Sequence, residues 1–178
     1  MRDLPHVERY DIVARSFHWL TVLLIVIQFA VAWTMPDIHR GTLPTGLIAW
    51  HLSIGTAILA VVLARGAWRL THREPPPPQS LPPLMQGVSR VTHVALYALL
   101  VALPLLGWAN ASARGWAVTL FGVVPLPPLF AKGSHVGMAS GDIHQTVALV
   151  LLAVVGLHVL GALYHLVVAR DGTVQRML

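Results

Sequence analysis

The chain has 178 residues, of which 56% are hydrophobic and only 11% are charged, and its mean hydropathy is +0.69. This composition excludes an ordinary soluble domain and indicates a membrane protein. The net charge of +5 does not indicate a nucleic-acid partner, because the 12 Lys and Arg residues cluster at the ends of apolar stretches along the whole chain. The absence of cysteine excludes disulfides, cysteine-bound iron–sulfur clusters and covalently attached c-type haem.

Four long apolar stretches follow one another, at residues 16–35, 42–64, 91–113 and 142–169. A helix of about 20 apolar residues crosses the hydrocarbon core of a bilayer, and a spanning segment must satisfy its own backbone hydrogen bonds. The sequence therefore predicts an all-α integral membrane four-helix bundle that forms a single domain over residues 1–178. No small-residue cleavage motif follows the first stretch, so that stretch is expected to remain in the mature protein.

The distribution of basic residues predicts the orientation of the bundle. The flanks on the side of the termini contain nine Lys and Arg residues, and the flanks on the other side contain three. Because cytoplasmic flanks carry the excess of positive charge, both termini are expected in the cytoplasm. The nine are Arg2, Arg9, Arg15, Arg65, Arg69, Arg73, Arg90, Arg170 and Arg176, and the three are Arg40, Arg114 and Lys132.

The two longer connections have distinct compositions. The connection between the second and third stretches reads THREPPPPQSLPPL, and its six prolines predict a stiff, extended spacer rather than a continued helix. The outer connection, residues 114–142, is rich in apolar and aromatic residues. Part of it is expected to lie on or dip into the outer membrane interface.

Histidines within the apolar stretches are the main candidates for a functional site. His144 and His158 are 14 residues apart, so they lie on one helix face about 21 Å apart along the axis. In the predicted topology, His51 lies at the outer depth of His144 and His18 at the inner depth of His158. Two imidazole pairs in a four-helix bundle are what two six-coordinate b-type haems require.

Other interpretations of these histidines remain open. They are also consistent with structural hydrogen bonds between helices in a non-redox bundle. His165 shares the stripe of His158 and is its alternative as the inner ligand, and His93 is suited to a haem propionate or to the interface. A zinc or copper transporter is disfavoured because the helices offer no carboxylate or thiol to complete a metal site.

Several segments resemble the bacterial cytochrome b561 family of small di-haem membrane proteins. They are RSFHWL, WHLSIG, the span from GDIHQ to GLHVLGALYH, and VVARDGTVQRML. The resemblance implies a protein of the bacterial inner membrane with two haem b groups, held by His18 and His158 on the inner side and by His51 and His144 on the outer side.

The resemblance also implies a reaction. Electrons would pass to ubiquinone, and the superoxide oxidase type within the family would take them from superoxide on the outer side. Related haem b proteins instead serve as electron-relay subunits that anchor a hydrogenase or dehydrogenase. A protein partner is thus possible but not required, and membrane lipid surrounds the bundle in either case.

An outer mouth that gathers superoxide should carry positive charge, since a focused field raises the encounter rate with an anion. Arg40, Arg114 and Lys132 are the candidates for steering the substrate, and Asp37 and Asp142 oppose them. The same cations are equally suited to holding haem propionates. The sequence assigns no residue a catalytic role.

Overall fold

The computed structural model of the protein describes residues 9–72, 75–76, 82–120 and 122–178. The architecture is four long helices with one small hairpin between the last two. The helices are α1 (Ile12–Thr34), α2 (Leu47–Thr71), α3 (Pro83–Arg114) and α4 (His135–Leu163), and the strands are β1 (Val118–Leu120) and β2 (Val124–Leu126). Each helix is long and apolar enough to cross a membrane. The predicted all-α membrane bundle is therefore confirmed.

Local sequence signals fix the helix ends. The Asp11 carboxylate accepts from the amide of Ala14 at the start of α1, and the Ser134 hydroxyl accepts from the amide of Gly137 at the start of α4. Both are N-caps that satisfy free amides of the first turn. Helix α3 ends at Gly115, whose φ of 76° is the left-handed conformation that terminates helices.

The helix ends differ from those of the apolar stretches that predicted them: α2 begins later, at Leu47 instead of residue 42, and most other ends extend further. Helix α2 continues past Arg65 and Arg69 to Thr71, and α3 begins at Pro83 instead of residue 91. Helix α4 begins at His135 instead of residue 142. Charged residues mark where side chains reach the headgroups, and long arginine side chains extend to that level from within a continuing helix.

The connection after α3 contains a β-hairpin. Its strands have three residues each, too few to give a recognisable alternating pattern in the sequence. Strands β1 and β2 pair antiparallel, with Val118 opposite Leu126. Val118 is buried, and the Thr56 hydroxyl on α2 donates to the carbonyl of Thr119. The hairpin therefore packs against α2. That part of this connection enters the membrane interface stays a prediction.

The helices pack mainly in chain order. Helix α1 packs on α2, α2 on α3, and α3 on α4, whereas within the described residues α4 makes little close backbone contact with α1 or α2. A buried apolar cluster joins α2, α3 and α4, and consists of Ile58, Val62, Leu100, Leu103 and Leu151. The fourth helix is thus held by the third, and gaps remain between α4 and the first two helices.

The two termini meet at one end of the bundle. The amide of Tyr10 donates to the carbonyl of Arg176, and the indole of Trp19 donates to the carbonyl of Met177. We call this the termini end and the opposite end the hairpin end. The cytoplasmic orientation of the termini end stays a prediction, and residues 73–74 and 77–81 of the proline-rich spacer lie outside the described residues.

Candidate cofactor site

Two histidines face each other at the hairpin end. The ring centroids of His51 on α2 and His144 on α4 are 6.0 Å apart. The side-chain amide of Gln28 on α1 donates to the backbone carbonyl of His51 and lies 3.3 Å from its Nε2. Nδ1 of His51 is buried and has no hydrogen-bond partner within the described residues. A donor against Nε2 favours the tautomer of His51 in which Nδ1 carries the proton and Nε2 has the lone pair.

His144 is held by α3, which supplies no histidine at this level. Its Nδ1 lies 3.0 Å from the carbonyl of Leu103. A carbonyl only accepts, so Nδ1 carries the proton and donates, which leaves the Nε2 lone pair available to a metal. Gly107 makes room for the ring, because a Cβ there would lie 3.3 Å from His144 Cε1.

A second cluster of imidazoles lies at the termini end. The ring centroids of His18 on α1 and His158 on α4 are 6.3 Å apart. His93 on α3 adds a third ring, 5.2 Å from His158, and its Nδ1 donates to the carbonyl of Ser89 at 2.7 Å. Helix spacing predicted no neighbour for His93, but the structure places it beside His158.

His165 lies apart from this pair and has a partner of its own. It follows α4 in a π-helical turn, Tyr164–Ala169, and its Nδ1 is 2.7 Å from Asp171 Oδ2. Partial burial acts to raise the pKa of the Asp171 carboxyl, but hydrogen bonds from Thr173 and His165 outweigh it and hold that pKa below its ordinary value. A carboxylate therefore engages Nδ1 of His165.

The distances between ring centroids can be compared with the distance expected for two imidazoles that bind one iron from opposite sides. Imidazole nitrogens bind metals at about 2 Å, so two imidazoles on opposite sides of one metal have centroids roughly 6 Å apart. Both the His51–His144 and His18–His158 separations match this value, whereas the His93–His158 separation is shorter. The two predicted pairs fit an axially ligated haem.

Each pair also bridges helices that leave a gap. His18 and His158 connect α1 to α4, and His51 and His144 connect α2 to α4. Those helix pairs make little close backbone contact among the described residues. A flat macrocycle needs such a gap, because close-packed helices leave no room for one.

A cavity of about 690 Å³ surrounds the hairpin-end pair. It falls within the usual size range of ligand pockets. His51, His144 and Gly107 line its inner part, and Asp37, His39, Asn110, Arg114, Trp116 and Asp142 line the part toward the hairpin. The hairpin-end histidines therefore communicate with that end of the bundle through a single cavity.

Of the three predicted steering residues, only Arg114 lines this cavity. Its Nε donates to Asn110 Oδ1 at 2.9 Å, and its guanidinium lies 5.4 Å from the centroid of the Trp116 ring. Arg40 is exposed in the turn after α1. The aliphatic part of Lys132 lies against Gly115. Arg114 is thus the cation that the fold orders beside the cavity.

Three residues near the histidines were missed by sequence reasoning: Gln28, Arg65 and Gly107. An amide inside an apolar stretch, as at Gln28, requires a partner and was a usable signal. For Gly107 and Arg65, the usable signal was their spacing from a histidine on the same helix. His93 and Gly107, like His51 and Arg65, are 14 residues apart, as are His144 and His158.

Comparison with known proteins places the chain in a family. A family model described as prokaryotic cytochrome b561 matches residues 9–178. The chain belongs to the prokaryotic cytochrome b561 family. It is 32% identical to a protein named probable superoxide oxidase CybB from Yersinia pestis, over 96% of both chains. It is 28% identical to cytochrome b561 homolog 2 of Escherichia coli (strain K12), over 96% of this chain and 92% of that protein.

A second Escherichia coli relative, cytochrome b561 homolog 1, is 27% identical over 90% of this chain and 92% of its own length. These matches confirm the resemblance that the four sequence segments indicated. As a member of the cytochrome b561 family with four helices able to span a bilayer, the chain is a haem b protein of membrane electron transfer, and a multi-pass protein of the bacterial inner membrane.

Proposed function

We propose that this cytochrome holds two haem b groups and transfers electrons from superoxide to ubiquinone. The observation that carries the proposal is the presence of two imidazole pairs, at 6.0 and 6.3 Å, near opposite ends of the bundle. His51 and His144 would hold the hairpin-end haem, and His18 and His158 the termini-end haem. When bound, each haem supplies a one-electron carrier.

The protein side chains orient and tune this arrangement. Leu103 and Gly107 fix the ring of His144, so that its Nε2 points away from α3. The Gln28 amide donates to the backbone carbonyl of His51 and so holds this turn of α2. Contacts of this kind set the basicity and orientation of axial ligands and thereby the reduction potential.

The overall reaction balances without further co-reactants. Two superoxide anions lose one electron each and become dioxygen, while ubiquinone gains those two electrons and two protons to become ubiquinol. The relative named probable superoxide oxidase supports this direction. The cavity beside His51 and His144, with Arg114 in its wall, supports a small anionic donor at the hairpin end. The excess of basic flanking residues at the termini end supports placing the hairpin end outside.

A second candidate is an electron-relay subunit that receives electrons from a protein partner, such as a hydrogenase or dehydrogenase. One observation favours it: Asp37 and Asp142 line the same cavity as Arg114. Mixed charge concentrates a small anion less than an all-positive mouth does. Such a surface is equally suited to contact with a protein.

A spectroscopic experiment separates the two candidates. The oxidised, purified protein would be exposed to a steady source of superoxide in the presence of a short-chain ubiquinone, with visible absorbance and quinol formation followed together. Reduction of the b-type bands followed by quinol is expected, and superoxide dismutase should abolish both. Bands that respond to dithionite but not to superoxide would contradict the superoxide proposal and favour a protein donor.

A further inference from the structure

Arg65 occupies the position on α2 that repeats His51 at the other end. The two residues are 14 positions apart, which is about four turns and 21 Å. His144 and His158 on α4 have the same separation. Arg65 therefore lies at the depth of the termini-end pair. At this level α1 carries His18, whereas α2 carries Arg65 in place of a histidine.

The surroundings of Arg65 form a small pre-arranged pocket. Its guanidinium lies 5.6 Å from the centroid of the Tyr97 ring, and the guanidinium of Arg69 lies 5.7 Å from the same centroid. Both arginines line a cavity of about 90 Å³ that also touches His93. A water needs at least about 10–15 Å³ on this measure, so the cavity is large enough for a carboxylate group with a few waters.

No described carboxylate forms an ion pair with Arg65. Asp11 lines the same cavity, but its two oxygens accept from the Ala14 amide and from the Trp68 indole. Asp171 is engaged by His165 and by the amide of Thr173. A charged side chain within a membrane helix is costly without a counter-charge.

A second arginine near the pair has a buried nitrogen without a hydrogen bond among the described residues. Nε of Arg15 is buried and unbonded within the described residues. Arg15 precedes His18 by three residues, so both lie on one face of α1. The neighbourhood of the termini-end histidines thus presents more cationic donors than its own described carboxylates engage.

We propose that Arg65, supported by Arg69 and Tyr97, binds the propionate carboxylates of the haem held by His18 and His158. The inference rests on the proposed di-haem function. A guanidinium offers two parallel donors that match a carboxylate. Arg65 lies on the side of α2 that repeats His51, so a propionate is favoured over a phospholipid phosphate, which would approach from the lipid-facing side.

The test compares haem with its dimethyl ester, in which both propionates are esterified. Full-length apoprotein from haem-deficient cells would be loaded with either compound in detergent, and transfer to excess apomyoglobin would be timed. The variants are Arg65→Gln and, as a matched control, Arg90→Gln, an exposed arginine at the same end. A His18→Ala variant identifies the kinetic phase that belongs to the termini-end haem.

Arg65→Gln is expected to speed loss of the termini-end haem about 10- to 100-fold, the worth of hydrogen bonds to a charged group. In Arg65→Gln, the rate at which the hairpin-end haem is lost should be unchanged. Arg90→Gln should lose both haems at the wild-type rates. When the dimethyl ester is bound instead of haem, the wild type and Arg65→Gln should lose it at the same rate. If Arg65→Gln does not accumulate, Arg65→Lys takes its place, because lysine keeps the charge but not the two parallel donors. It should also lose haem faster and leave the ester rate unchanged.

Two results would overturn the inference. One is equal acceleration for haem and ester. The other is unchanged haem loss together with loss of bound anionic phospholipid from Arg65→Gln, which would assign the site to a lipid phosphate. A wild-type protein that binds fewer than two haems, or a His18→Ala variant that keeps both, would instead contradict the proposed function, whatever Arg65 does.

Discussion

His144 stands directly against Gly107. A Cβ on that glycine would lie 3.3 Å from Cε1 of the imidazole, slightly closer than ordinary van der Waals contact, and 3.4 Å from Nδ1. The same ring donates from Nδ1 to the carbonyl of Leu103. Helix α3 supplies no ligand at this level, yet it sets the position and the tautomer of the ring that faces His51.

Replacing Gly107 by valine should therefore dislodge one haem and spare the other. The added methyl groups overlap the imidazole, and overpacking of this kind costs about 1–3 kcal/mol. We expect the haem content to fall from two towards one per chain, measured as pyridine haemochrome against protein. Gly87→Val in the same helix is the control, since nothing lies within 4 Å of a Cβ at that glycine. Equal haem losses in both variants would contradict the proposed role of the contact between Gly107 and His144.

Single histidine replacements should remove the haems one at a time. Each pair bridges a different gap, α2 to α4 at the hairpin end and α1 to α4 at the termini end. His51→Ala is expected to lose the hairpin-end haem and retain the other, and His18→Ala should do the reverse. The two variants should therefore retain haems with different redox midpoints in a potentiometric titration. Simultaneous loss of both haems from a stably inserted variant would contradict the pairing.

The four helices were predictable because long apolar stretches leave the backbone no alternative in lipid. Their ends were not, because α2 continues past Arg65 and carries Arg69 in its last turn. The hairpin was missed for a different reason. Its strands have three residues each, and β2 contains Pro125, so neither shows a readable alternation of polar and apolar residues.

The pairing of His18 with His158 and of His51 with His144 followed from spacing and direction alone. A regular helix converts 14 residues into a fixed depth and nearly the same face. The contacts that hold the rings did not follow, since the approach of Gly107 to His144 depends on how α3 packs on α4. His165 shares the stripe of His158, and only the turn after α4 brings Asp171 to it.

The hydrogen bonds that Asp171 accepts from Thr173 and His165 predict an acid-sensitive contribution to stability. The hydrogen bonds to Asp171 outweigh its burial and hold its pKa below the ordinary value. A depressed carboxyl pKa stabilises the fold above the ordinary value and loses that contribution as the pH falls below about 4. Thermal unfolding in detergent should show a drop of a few degrees over this range, and Asp171→Asn should reduce the drop. Asp37→Asn, at the other end, serves as the control for charge.

His165→Ala should keep both haems, because its ring is engaged by Asp171 and lies apart from the His18–His158 pair. The measurement is the pyridine haemochrome ratio beside that of His158→Ala, which should lose one haem. The opposite pattern, with loss in His165→Ala and retention in His158→Ala, would transfer the ligand role to His165.

Arg114 should control how fast superoxide reaches the hairpin-end haem. It lines the cavity beside His51 and His144, whereas Arg40 and Lys132 do not. Arg114→Gln is expected to lower the second-order rate of haem reduction by up to about tenfold and to weaken its dependence on ionic strength, since the field that draws in an anion is reduced. Arg40→Gln removes the same charge away from the cavity and should have a smaller effect. Stopped-flow measurements at several salt concentrations would decide, and equal effects of the two variants would show that net charge at this end matters and the position of Arg114 does not.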